Sequence, residues 1–161
     1  PPYLAVQQML SGNSPRAQEP VEVIPAHLSA RDSAQFLMGR AIYRRDGHCA
    51  TCHQKDGAGL PASGFPPLKG SEWVTGDPER LIKVTLKGLQ GPITVAGKPY
   101  PGQVPMTAFE SLLTDEEMAA VLTYVRNAFG NRAPAVRPGD VADIRRKEAA
   151  HKGFYQAKDL K

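Results

Sequence analysis

The residues whose types and spacing speak most directly of chemistry are Cys49-Ala50-Thr51-Cys52-His53. A C-x-x-C pair followed at once by histidine is the attachment pattern of c-type haem. Thiols three positions apart reach the two vinyl groups on one side of a porphyrin and form thioethers. The next residue then lies beneath the ring, where an imidazole nitrogen can bind the iron. The chain has 2 cysteines, so no thiol remains for a competing disulfide or metal site. Other uses of this spacing lack their context. A thioredoxin-like pair needs a βαβ unit, and a zinc site needs four N or S ligands. The other histidines, His27, His48 and His151, are scattered.

Iron held by His53 takes a sixth ligand or keeps an open site for chemistry. Met38 and Met118 fall in apolar helical stripes and read as packing residues, and Met9 lies near the N-terminus. His48, beside the first cysteine, cannot swing to the opposite ring face and reads as an exposed neighbour. Met106 follows Pro105 in an irregular loop, with enough chain between it and His53 to travel round a porphyrin. It is the expected sixth ligand. The glycine- and proline-rich stretch 54–72 is long for a loop inside a domain unless it wraps something, and a haem plane is a suitable object. Within it, Pro66 or Pro67 can offer a carbonyl to the Nδ1 proton of His53, or serve only to stiffen the loop. Trp73 reads either as a haem-edge residue bonded to a propionate or as an ordinary core tryptophan.

These side chains need a frame. A 161-residue chain fits one domain with extensions, and 41% hydrophobic residues give an adequate core that a porphyrin would enlarge. Fifteen prolines and fifteen glycines imply long, turn-rich connections. A first helix is expected from Asp32 or Ser33 to Arg45, its packing face made by Phe36, Leu37, Gly39, Ile42 and Tyr43. Asp77-Pro78-Glu79 opens a second helix that runs to Gly88. Residues 93–100 read as a small hairpin or flap. The capping box Thr114-x-x-Glu117 opens a helix whose apolar residues Met118, Val121, Leu122, Val125 and Phe129 recur with helical period, ending at Gly130. An accessory helix is expected from about Asp140 to Lys152. The division is an arm over 1–31 with Leu28 as its entry, a haem domain over 32–131 and a C-terminal extension over 132–161.

Of the net charge of +4, the stretch 137–161 carries most. Its bases are interleaved with acids and lack an aromatic platform, which disfavours nucleic acid and reads as a solvated helix. No apolar run approaches the length of a membrane span. The opening Pro-Pro-Tyr suggests a processed or trimmed product.

With these pieces in place, residues 33–129 resemble the class I monohaem cytochromes c. The likeness rests on Gly39-x-x-x-Tyr43, Cys49-x-x-Cys52-His53, Phe65-Pro66-Pro67-Leu68, Pro105-Met106 and Leu122-x-Tyr124-Val125-Arg126. A weaker likeness, through the same loop and the run 70–74, is to cytochrome domains of periplasmic oxidoreductases. The resemblance implies an all-α fold around one covalent haem c. It also implies first and last helices crossing at Gly39 and Tyr124, and iron held by His53 and Met106. The implied function is one-electron transfer between redox proteins in the periplasm, with no catalysis by the chain itself. Lys55, Lys69, Lys87 and Lys98 are candidate rim charges for docking. The alternative is a haem enzyme or gas-sensing domain with a displaceable sixth ligand.

Overall fold

The computed structural model of the chain describes residues 21–160, so Met9 and most of the arm lie outside the described residues. Within the described residues six helices succeed one another: α1 (Ala30–Tyr43), α2 (Cys49–His53), α3 (Glu72–Thr75), α4 (Pro78–Lys87), α5 (Asp115–Asn127) and α6 (Pro138–Lys147). Two small ladders join them. The strands β2 (Ile93–Val95) and β3 (Lys98–Tyr100) form the expected antiparallel hairpin. The strands β1 (Leu89–Gln90) and β4 (Tyr155–Gln156) pair in parallel, an element the sequence reading lacks.

Helix α1 starts earlier than expected because Ser29 is its N-cap, accepting from the Asp32 amide at 3.1 Å. Asp32 lies in the first turn instead, where its carboxylate receives the Arg137 guanidinium at 2.6 Å. Phe36, Gly39 and Tyr43 share one face and are buried with Ile42. Leu37 and Met38 point off that face and stay 36% and 43% exposed, so neither is a packing residue. The helix ends at Tyr43, two residues short of Arg45.

The central contact is the crossing of α1 over α5. A Cβ on Gly39 would lie 2.0 Å from the Ala120 carbonyl oxygen and 2.8 Å from Tyr124 Cβ, so only glycine allows this approach. Tyr124 fills the crossing beside Phe36 and Tyr43, with ring centroids 4.9 and 5.2 Å away. Helix α5 opens with the capping box: Thr114 Oγ1 accepts the Glu117 amide and Glu117 Oε2 accepts the Thr114 amide. Its residues from Met118 to Asn127 are all buried, as befits a helix covered on every side rather than one with a solvent face. The helix stops at Asn127, and Phe129 sits beyond it at positive φ.

Helix α6 spans Pro138–Lys147, so the expected boundaries move toward the N-terminus. Proline suits the first helical position, where its missing N–H would have no partner. Val141 and Ile144 bury into the main core, which makes this a structural element rather than a solvated accessory. After α6 the chain turns back and delivers β4 to the edge of β1.

Two outcomes test this framework. Gly39→Ala is expected to destabilise the protein by about 2 kcal/mol or more, because the added methyl meets backbone rather than a yielding side chain. Urea unfolding measures it, and an unchanged midpoint would rule out the close crossing. The Arg137 guanidinium holds Asp32 below the ordinary carboxylate range, and the Thr114 amide, aided by Arg45, does so for Glu117. Carboxylates lowered in the folded state contribute stability above their unfolded pKa and lose it as pH falls through the folded value. Urea midpoints should therefore drop below about pH 4, and Asp32→Asn with Glu117→Gln should flatten that drop.

Candidate functional site

A single helical turn, α2, carries Cys49, Cys52 and His53. Positions three and four apart share a helix face, so the two sulfurs and the imidazole project together. The turn is framed at its exit by Gln54, whose carbonyl accepts the Tyr43 hydroxyl at 2.6 Å. His53 is buried and donates Nδ1–H to the Pro66 carbonyl at 2.8 Å. Of the two prolines left open by the sequence, Pro66 is the acceptor; Pro67 lines the cavity wall nearby. Burial lowers the His53 pKa, opposed only by the bond to Pro66, so the ring is neutral near pH 7. With Nδ1 as donor, Nε2 carries the free lone pair.

No disulfide joins Cys49 to Cys52, and burial pushes a Cys49 thiol up to about 11. A thiol so raised is the reverse of the activated thiolate that C-x-x-C redox enzymes employ. Among the described residues no group of three or more His, Cys, Asp or Glu side chains gathers to hold a metal ion, so the zinc reading finds no ligand set.

Two cavities of about 90 and 290 Å³, which share lining residues, open in front of this turn. Cys49, His53 and Pro66 line both, and so do Leu89, Ile93 and Met106. Leu81, Val84, Val121 and Val125 line the smaller cavity and give it an apolar wall. Two thiols, a neutral imidazole and a thioether around an apolar slot are the donor set and shape that a covalently bound porphyrin requires, so the residues fit the group.

The loop that carries Pro66 is held by backbone. Gly57 takes a positive φ, and its carbonyl accepts the Leu68 and Lys69 amides. Gly59 is appressed to the Phe65 and Pro66 carbonyls, which a Cβ would strike at 2.5 and 2.6 Å. Asn131 then ties the loop to the end of α5. Its amide nitrogen donates to the Leu68 and Val125 carbonyls, and its oxygen accepts the Gly70 amide. Sequence reading missed this residue; its one signal is an asparagine just past the Gly130 helix stop. Arg126 entered the sequence reading only as part of the family motif, with no role of its own. Only 2% exposed, it donates to the Val74, Gly76 and Pro134 carbonyls and fixes α3 against α5.

Trp73 lines the smaller cavity; its indole N–H donates to the Thr94 carbonyl at 3.0 Å and the Arg80 guanidinium covers its ring. That bond joins Trp73 to the β2–β3 hairpin. His48 is only partly exposed and rests beside Phe109, with centroids 5.6 Å apart. Lys87 is not a rim charge: it is 5% exposed and its ammonium grips both Glu110 oxygens at 2.8 Å. Lys55, Lys69 and Lys98 are on the surface.

Comparison with known proteins agrees with this geometry. The Cytochrome c family model matches residues 37–129. A cytochrome c-552 of Thermus thermophilus is 39% identical over 125 residues, which cover 71% of this chain and 82% of that protein. The cytochrome c subunit of Gluconobacter oxydans alcohol dehydrogenase (quinone) is 39% identical over 109 residues, or 66% of this chain, but the match spans only 22% of that subunit. The gluconate 2-dehydrogenase cytochrome c subunit of Pantoea cypripedii is 36% identical over 162 residues, covering 83% of this chain and 34% of that subunit. The chain belongs to the cytochrome c family, bears a covalently bound haem c with its iron, and functions in electron transfer.

Proposed function

We propose that the chain is a one-electron carrier, not a catalyst, whose haem is bound through Cys49 and Cys52 and whose iron is ligated by His53 and Met106. The observation that carries this reading is the placement of His53 and Met106 on the walls of the same apolar cavities. The bound haem supplies an Fe(III)/Fe(II) couple. The Pro66 carbonyl orients His53 and raises its basicity through the Nδ1 proton. The weakly donating Met106 thioether favours the reduced iron, and the apolar walls disfavour the extra charge of the oxidised form. With His53 and Met106 both holding the iron, no site would remain for a substrate.

The haem unit is assigned to residues 32–131, with an arm before it and an extension after it. The partners are redox proteins in the periplasm. The names of relatives, cytochrome c subunits of alcohol and gluconate dehydrogenases, favour a dehydrogenase as donor. Exposed Lys69 and Lys98 are the cations nearest in kind to a docking role with an acidic partner surface. No helix among the described residues is long and apolar enough to cross a membrane. The haem-enzyme or sensor reading needs Met106 to leave easily, whereas its N–H and C=O are both hydrogen-bonded to Leu89.

In protein matured with haem, the mass should exceed that of the polypeptide by one haem, and Cys49→Ala with Cys52→Ala should release the colour into acid–acetone. The parent releasing it would exclude covalent attachment. Met106→Ala should abolish the weak far-red band of methionine-ligated ferric haem, lower the reduction potential and let the reduced protein bind carbon monoxide. A band that survives the substitution would exclude Met106 as ligand.

A further inference from the structure

The C-terminal extension converges on Met106, and three independent contacts show how. Leu89 sits in the middle of a small sheet. Along one edge it exchanges two backbone hydrogen bonds with Met106, at 2.8 and 3.3 Å. Along its other edge β1 pairs with β4, in the register Leu89↔Tyr155, and the Tyr155 amide donates to the Gly88 carbonyl at 3.1 Å. The second contact is at Gly88. A Cβ there would lie 2.4 Å from the Met106 carbonyl oxygen and 2.6 Å from the Phe154 ring, so the glycine is pressed between the methionine backbone and the tail. The third is Arg145 on α6. It donates to the Glu110 carbonyl at 2.6 Å, the Leu113 carbonyl at 2.9 Å and the Asp115 carboxylate at 2.8 Å, spanning the segment that joins Met106 to α5. The same Glu110 holds Lys87, the residue before Gly88. Tyr155 itself is fastened by donation of its hydroxyl to Glu148, which also pairs with Lys83.

We infer that the extension is a brace for the sixth ligand, with Arg145 and Phe154 as positioning residues that hold the Met106 backbone where its thioether meets the iron. The inference rests on the Met106 ligation proposed above. A loop alone would leave the methionine bond to compete with any incoming nitrogen base. Tying both sides of that loop to α6 and β4 raises the cost of swinging it away, because displacement must also break the tail contacts.

The test is imidazole titration of the full-length ferric holoprotein, followed by loss of the far-red band. Arg145→Lys keeps the charge but cannot serve two carbonyls and a carboxylate at once. Phe154→Ala removes the ring from Gly88 at a half-exposed position that folding tolerates. Both should lose the band at roughly tenfold lower imidazole than the parent, the change expected when about one net hydrogen bond or its packing equivalent is lost. Arg146→Ala, whose guanidinium pairs with Asp143 on its own helix, should titrate like the parent. So should Asp32→Asn, which loosens the fold away from Met106. Haem-loaded Arg145→Lys and Phe154→Ala proteins that titrate like the parent would overturn the brace alone. An equal shift in Asp32→Asn would also overturn it, as general loosening. A parent without the band would overturn the ligation and the brace together.

Discussion

A buried imidazole whose Nδ1 proton is committed to the Pro66 carbonyl is the constraint on which the site turns. It fixes the tautomer, so the remaining lone pair belongs to Nε2. It also fixes the ring's direction, because the acceptor is backbone and does not rotate. That backbone is placed by the tight packing of Gly59 against Pro66 and by Asn131 clasping Leu68 to the end of α5. Helix α5 is in turn positioned by α1 through Gly39. A methyl group added at that crossing, remote in sequence from the loop, disturbs the surface from which the loop hangs.

The two proposed axial ligands are secured by different means. His53 sits within a turn beside the two cysteines proposed to staple the haem, so local covalent geometry sets its position and the Pro66 bond sets its ring direction. Met106 has no such tether and depends on long-range contacts: a two-bond bridge to Leu89, and beyond it the Lys87–Glu110 pair and the C-terminal segment. This asymmetry gives residues outside the 37–129 family match a role at its centre.

What the sequence made legible was local. C-x-x-C-H is fixed by the dimensions of a porphyrin, the Thr114 capping box by helix ends, and the β2–β3 hairpin by its turn residues. What escaped it was tertiary. The start of α1 moved because Ser29 caps it, which leaves the Asp32 carboxylate to receive Arg137, 105 residues away. Lys87 looks like a surface cation until Glu110 comes back to cover it. The bond from Trp73 to the Thr94 carbonyl exists only because the hairpin folds back beside it. Helical periodicity could place α6 but not β4, since a two-residue strand has no pattern of its own and exists only beside β1. Arg126 was legible as part of a family motif, yet its bonding to three carbonyls could not be read without the chain around it.

X-ray absorption at the iron edge of the ferric holoprotein addresses the proposed ligation most directly, because it counts sulfur at the metal without any substitution. One sulfur beside five nitrogens, four from the porphyrin and one from His53, is the predicted coordination. Six nitrogen or oxygen neighbours, or a five-coordinate iron without sulfur, would contradict it.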